Sequence, residues 1–445
     1  MQQPDASTPT SDRLFDPSKT PAGAPMRQLV SEALDRIEQV SSRRRRRREA
    51  DQRIHEASVG ALVSDLVHGM LFSPRQRIAV PLSKGALART KRQVPFMTEK
   101  FADTVRAVSH ERVGVADLEV GYKTALGSRR STLFAGPWLS SRVEELEVEI
   151  GDIGRDHMLL GDPLILNSRK VGGKKHRLAL PDTPLVRELQ REMDEINGWL
   201  AGADIEYLFC PVSDGVDTGQ RYLRRVFNNG SLDLGGRLFH GFWQGMSEEK
   251  RLTGILVGGE PVVSLDFAQM ALHLAYGEVR APVPEGDLYA IPGYAAHRTG
   301  LKKVINALLA SDGLPSRMPR GTRAHFPATV KFSHVYQAIC AHHSPLAPLF
   351  GTASALRFMN TESRVIVRAL LELKAKRVVA LPIHDCLLVG RGHEGLAKEV
   401  LEQSFRAIAG AEGRVEVERS SLEARVVVEK SYLEGMSRLP LKRGA

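Results

Sequence analysis

Two short apolar segments constrain this chain more than anything else in it: Val262-Val263-Ser264-Leu265-Asp266-Phe267 and Leu381-Pro382-Ile383-His384-Asp385-Cys386-Leu387-Leu388-Val389. Each reads as a β-strand that delivers an aspartate at its end. In the second, His384-Asp385 sits between two apolar arms, the pattern of a tight hairpin tip. Taken singly, an aspartate after a strand serves as a helix N-cap and one in a hairpin serves the turn. Taken together, two strand-end carboxylates far apart in sequence suit a site for two divalent ions about 3.5–4 Å apart. Such ions need hard oxygen ligands on rigid backbone.

At 445 residues the chain is long enough for two or three domains. No apolar run approaches the roughly 20 residues that span a bilayer, so no membrane partner is expected. Cys210, Cys340 and Cys386 are too few and scattered for a disulfide frame or a cysteine-based zinc site, which suggests reducing cytoplasm. His273, His342 and His343 likewise lack metal-ligand spacing. The formal net charge of +10 favours a polyanionic partner, and nucleic acid fits it without an amphipathic anchor.

Residues 1–25 are polar and Pro-rich and are expected to be disordered. Residues 26–200 read as a basic, mostly helical region. A helix starting at Met26 runs into the six arginines 43–48, and a basic loop follows at Arg169–Arg177. A helix is expected from Pro184 to about Leu200. Gln220–Phe227 also reads as a helix, with Arg221, Arg224 and Arg225 on one nucleic-acid-binding face. Gly235-Gly236-Arg237 then brings an arginine out of a tight turn. Strand 262–266, a helix over 268–276, a helix over 294–311, a helix from Met359 to about Lys376 and strand 377–383 follow. A helix at 395–409 and strands within 415–428 close the chain. The expected fold class is α+β, a mixed sheet with helices.

The 294–311 helix carries Arg298, Lys302, Lys303 and Asn306. Arg298, Lys302 and Asn306 keep broadly to one side, a row of cations suited to a triphosphate.

Five motifs in order resemble those of family A DNA polymerases, over about residues 219–392. Ser264-Leu265-Asp266-Phe267-Ala268-Gln269 is similar to their first palm motif and Ile383-His384-Asp385 to their third. Arg298 to Asn306 resembles the fingers helix that grips the incoming nucleotide. Gly236-Arg237-Leu238 resembles the stretch whose arginine contacts the primer-template minor groove. Asn360 sits where a template-contacting helix is expected. The resemblance implies a right-hand palm over 201–445, with a fingers insertion at about 287–350 and the basic N-terminal region as a thumb. It also implies two Mg2+ ions held by Asp266, the Phe267 backbone carbonyl and Asp385. His384, Arg237, Asn360 and the Arg221/Arg224/Arg225 face would contact nucleic acid. The substrates would be nucleoside triphosphates and a primer-template, and the activity DNA synthesis from a primer 3′-hydroxyl.

The chain departs from that pattern in several places. Ala271 stands where the family has a glutamate that excludes the ribose 2′-hydroxyl, and Cys386 replaces the acid that follows His-Asp. Ser311-Asp312-Gly313 stands where a Tyr-Gly would close the fingers helix, and no proofreading domain is visible. The lysine register is open: Lys302 keeps the spacing to Arg298, and Lys303 the spacing to Asn306. The related single-subunit phage-type RNA polymerases share the missing glutamate and second acid. Ribonucleotide or mixed-sugar synthesis therefore stands beside DNA synthesis, and so does a non-catalytic nucleic-acid binder with a degenerate palm.

Overall fold

The computed structural model describes residues 12–41, 43, 45–72, 76–90, 94–124, 127–209 and 215–420. The chain forms two compact units, one made of residues up to 161 with the segment 210–219, the other of 162–209 and everything from 220 on. The sequence reading drew this line near residue 200. Among the described residues no helix is long and apolar enough to cross a membrane.

The first unit is built on the helix Glu49–Phe72, whose stretch from Ser58 to Gly69 is buried on every side. Around it pack the helices Ala24–Val40 and Glu99–Val108, and a sheet ordered β1 (Arg13–Leu14), β3 (Ile78–Val80), β7 (Ser131–Ala135), β4 (Ala116–Glu119). β2 (Lys19–Pro21) pairs with β8 (Ile153–Arg155), and β5 (Tyr122–Thr124) pairs with β6 (Gly127–Arg129). Two expectations change here. Residues 13–21, expected to be disordered, carry β1 and β2 with Phe15 buried between them. The mostly helical region also holds several strands, each too short to show a period of two in the sequence. The described arginines of the run lie outside a helix: Arg43, Arg45, Arg46 and Arg48 are exposed, and Arg47 pairs with Glu38.

The second unit has two sheets. In the smaller, β10 (Arg177–Leu178), β9 (Leu164–Asn167), β12 (Arg224–Asn228) and β13 (Ser231–Phe239) lie in that order. Only the β9–β12 pairing is parallel. In the larger the order is β11 (Ile205–Tyr207), β14 (Ile255–Val257), β15 (Glu260–Phe267), β17 (Cys386–Gly390), β16 (Ala380–Ile383). β18 (Val415–Glu418) pairs with the last four residues of β15. This central strand is covered along both edges, and Val262, Val263, Ser264 and Leu265 are all buried. An almost unbroken apolar run is what such a position demands. The helix Ala355–Ala375 buries Val365, Ile366, Ala369, Leu370 and Leu373 in the same core. The mixed sheets and helices make the fold α+β, as the sequence implied.

No helix forms over Gln220–Phe227: residues 220–223 are irregular and Arg224–Asn228 form strand β12. Its residues alternate between half-buried and buried, a period of two that pairing with β9 and β13 enforces. The arginine spacing mimicked a helix face. Arg225 is 1% exposed, donates to Glu192 Oε2 at 3.0 Å and to Ser363 Oγ at 3.2 Å, and lies over the Phe227 ring. Arg221 donates to the carbonyls of Ala203 and Ile205 at 2.6 and 2.9 Å. Both guanidiniums serve the fold, and the three arginines do not form one nucleic-acid face.

Candidate active site at the end of the central sheet

β15 and β17 bring the two sequence-predicted aspartates to one place. Their antiparallel register sets Asp266 opposite Cys386, the residue after Asp385. Asp385 is delivered by the β16–β17 hairpin, closed by the pair Ile383 and Cys386, with His384-Asp385 as its two-residue loop. His384 takes up the turn with a left-handed backbone (φ 56°), which two-residue loops favour. The hairpin is pinned from behind: the Pro382 carbonyl accepts from Trp243 Nε1 and Gln244 Nε2, both at 2.9 Å. The His384 ring meets Phe239 edge-on at 5.4 Å.

Asp266 does not do the structural work it might do alone, whereas Asp385 does lie in the hairpin turn. The helix after β15 starts at Met270, and its N-cap is Gln269, so Asp266 caps nothing. Among the described residues neither carboxylate has a cation within ion-pair distance. Their proximity has an electrostatic cost. Burial, then the Asp385 charge, pushes the Asp266 carboxyl up to about 6, while the Phe267 backbone N–H and Lys302 pull it back. Asp266 is nonetheless exposed at the end of its strand.

Lys302 and Lys303 now separate. Lys302, exposed on the helix Arg298–Ala310, is the lysine whose field reaches Asp266. Lys303 turns to His325, with Nζ and Nε2 2.8 Å apart. Arg298 is engaged within the protein: its guanidinium pairs with Asp287 at 2.6 and 3.1 Å and lies over the Tyr289 ring. Asn306 is exposed on the same helix, and Ala271 is half-buried in the first turn of helix Met270–Glu278.

Arg237 stands on β13 beside this site. Gly235 and Gly236, at φ 80° and 89°, turn the backbone where the β12–β13 register slips. A Cβ on Gly236 would meet Phe227 at 3.0 Å and Asn360 at 3.3 Å, so glycine is required there. Arg237 grips Glu362 through two hydrogen bonds of 2.6 Å. Burial pushes Glu362 up to about 7; Arg237 opposes this, and Asp385 and Asp266 add to it. Asn360 donates to the Leu232 carbonyl at 2.9 Å.

The sequence reading passed over Glu362, and over Glu416, which pairs with Asp266 across β18. An acid two residues past the Met359-Asn360 pair, and another in a short four-residue strand, carry no signal without the tertiary contacts. Cys386 is no substitute acid. Its Sγ lies 3.0 Å from Ser264 Oγ, and burial pushes the thiol up to about 12. The histidines set aside as zinc ligands are packed: His343 bridges the Tyr276 hydroxyl and the Leu288 carbonyl, and His273 meets the Glu412 carbonyl. Among the described residues no group of three or more His, Cys, Asp or Glu forms a metal cage. The side-chain donors brought together at this sheet end are the two carboxylates. Hard oxygens whose mutual repulsion a cation relieves fit magnesium.

No protein-family model matches the chain, and no curated protein sequence matches it. Among solved structures it is similar to the POL domain of Pol1 from M. smegmatis in complex with DNA primer-template and dNTP. The identity is 12%, covering 91% of this chain and 67% of that one, with a TM-score of 0.31.

Proposed function

We propose that the second unit is a template-directed nucleotidyl transferase that extends a primer 3′-hydroxyl. In this reading the β15–β17 sheet is a polymerase palm of the family A kind, and residues 287–350 form small fingers. The observation that carries it is the pair Asp266 and Asp385, brought together at a strand end without cations of their own. Uncompensated like charges destabilise a fold and are kept where chemistry uses them. Asp266, the Phe267 carbonyl and Asp385 would hold two Mg2+ ions, which would lower the pKa of the attacking hydroxyl and offset charge developing on the α-phosphate.

The chain's own residues supply the rest. Lys302, whose field reaches Asp266, would neutralise a triphosphate lying between its helix and the aspartates. Arg298, released from Asp287, would add a bidentate phosphate contact, and Asn306 extends that face. Arg237, positioned by Glu362, would reach the minor groove of the primer terminus, with His384 and Asn360 flanking it. The half-buried Ala271 would leave the sugar 2′ position unguarded. Primer extension with magnesium, comparing wild type with Asp385→Ala, tests this. Extension lost in the variant supports the enzyme. Duplex binding without extension by either protein refutes it and leaves a nucleic-acid-binding protein with an inert palm.

A further inference from the structure

We propose that the hairpin between β9 and β10 is a clamp on the phosphate backbone of duplex DNA. Between Asp162 and Asp182 the chain carries five Lys and Arg residues, His176, and no Asp or Glu. These cations stand on one built element. Asn167 faces Arg177, the Ser168 N–H donates to the His176 carbonyl at 2.8 Å, and Val171 and Lys174 exchange hydrogen bonds of 3.0 and 3.1 Å at the tip. Gly172 and Gly173 make the turn with φ 57° and 83°, the two left-handed residues that a tight two-residue loop requires. From Asn167 to the tip this ribbon extends about 17 Å at ~3.4 Å per residue.

Every residue from Arg169 to Leu178 is exposed. Arg169 has one weak partner, Asp312 at 3.3 Å, itself largely in solvent. Lys175 meets only the neutral Asn228 side chain, and Lys170 and Lys174 have no partner among the described residues. Cations crowded on a narrow ribbon repel one another unless an external anion neutralises them. The ribbon grows from the sheet that carries Arg237 at its other edge, and its base reaches Asp312, just beyond the lysine-bearing helix. A two-stranded ribbon fits a duplex groove. No aromatic residue lies between Asp162 and Asp182, so the element lacks the stacking platform that single strands require. The duplex is the partner of the reaction proposed above, but gripping it needs no chemistry.

The test is duplex binding by the full chain, read by fluorescence anisotropy without metal from 50 to 200 mM salt. Wild type is compared with Lys170→Ala/Lys174→Ala/Lys175→Ala and with the charge-matched control Lys376→Ala/Arg377→Gly/Lys398→Ala. Each lysine on a phosphate adds about 0.9 to the salt slope, so two or three contacts make wild-type affinity fall about 12- to 40-fold more than the variant's across that range. The control should keep the wild-type slope. Equal slopes for wild type and hairpin variant, an equal loss in the control, or an effect confined to single strands would each overturn the clamp. Repeating the series in Asp385→Ala separates the two readings. A catalytically dead chain that still responds to the hairpin supports the clamp, and an active chain that ignores it does not.

Discussion

Two clusters of acidic side chains, one in each unit, have opposite electrostatics. In the first unit Asp65 is fully buried but accepts from Arg13 at 2.7 Å and from the Asp16 N–H at 3.0 Å. Arg155 bridges Asp16 and Asp217 at 2.5 and 2.6 Å, and Lys19 stands 3.7 Å from Asp217. Every carboxylate there has a cation. In the second unit Asp266 and Asp385 share a strand end with no cation in ion-pair contact, and only the weaker field of Lys302 reaches Asp266. Compensated buried charge ties a fold together, since removing one partner strands the other. Uncompensated charge at an open edge adds nothing to the fold and is available to a ligand. The contrast supports the proposed role of the Asp266–Asp385 pair better than acidity alone would.

Substitution should break the symmetry of that comparison most sharply. Asp385→Ala should lower primer extension by 10³-fold or more, a barrier increase of about 4 kcal/mol, with a metal-free urea midpoint that is the same or higher. Asp65→Ala should do the reverse and cost about 3–5 kcal/mol of stability by stranding Arg13 and its neighbours. Urea unfolding with parallel extension assays checks both. If Asp385→Ala unfolds the protein, or Asp65→Ala leaves its stability intact, the assignment of the two clusters is wrong.

Acid should separate the clusters next. Burial pushes Asp217 up, but the His68 contact, Arg155 and Lys19 together hold its carboxyl well below the usual range. Its stabilising contribution is therefore complete above the unfolded value near 3.8 and is lost as pH falls below it. Asp266 behaves oppositely. Its metal-free folded value of about 6 lies above its unfolded one, so the folded state gains stability as pH falls from 7 toward 4. The stability deficit of Asp217→Asn should shrink below pH 4. The stability gain of Asp266→Asn, measured without metal, should be largest near pH 7, shrink as pH falls through 6 and 5, and vanish below the unfolded value near 3.8. Denaturation at several pH values measures both trends.

The two lysines sharpen the same site. Lys302→Ala should raise the nucleotide KM about 10- to 100-fold, whereas Lys303→Ala, which loses only His325, should change it less than threefold. Steady-state extension kinetics decide, and equal effects would restore the ambiguity of register.

How much of this was legible beforehand follows from residue chemistry. Asp266 and Asp385 could be found because each ends an apolar run whose burial forces a strand, and the helix Arg298–Ala310 because its period spans three turns. Arg225 could not, since its burial depends on pairing with β9 and its ion pair on Glu192 of the helix Pro184–Ala201, both far away in sequence. Glu362 and Glu416 gain meaning only from cross-element contacts. The short strands of the first unit, such as Lys19–Pro21, offer too few residues for a pattern, and their buried ion network is wholly tertiary.

The smallest expected effect concerns the sugar. Ala271 occupies the second position of the helix Met270–Glu278, half-buried just beyond the strand that carries Asp266. A methyl group there supplies neither bulk nor charge against a ribose 2′-hydroxyl. Discrimination between deoxy- and ribonucleotides should therefore stay within about tenfold, near 1.4 kcal/mol. Ala271→Glu is a conservative probe, because an acid in the first turn of a helix interacts favourably with the helix dipole and should not cost stability. It should increase selectivity for deoxynucleotides while leaving deoxynucleotide incorporation within a few-fold. Competition assays with matched nucleotide sets measure this. Strict deoxynucleotide preference in the wild type would show that another group guards the sugar.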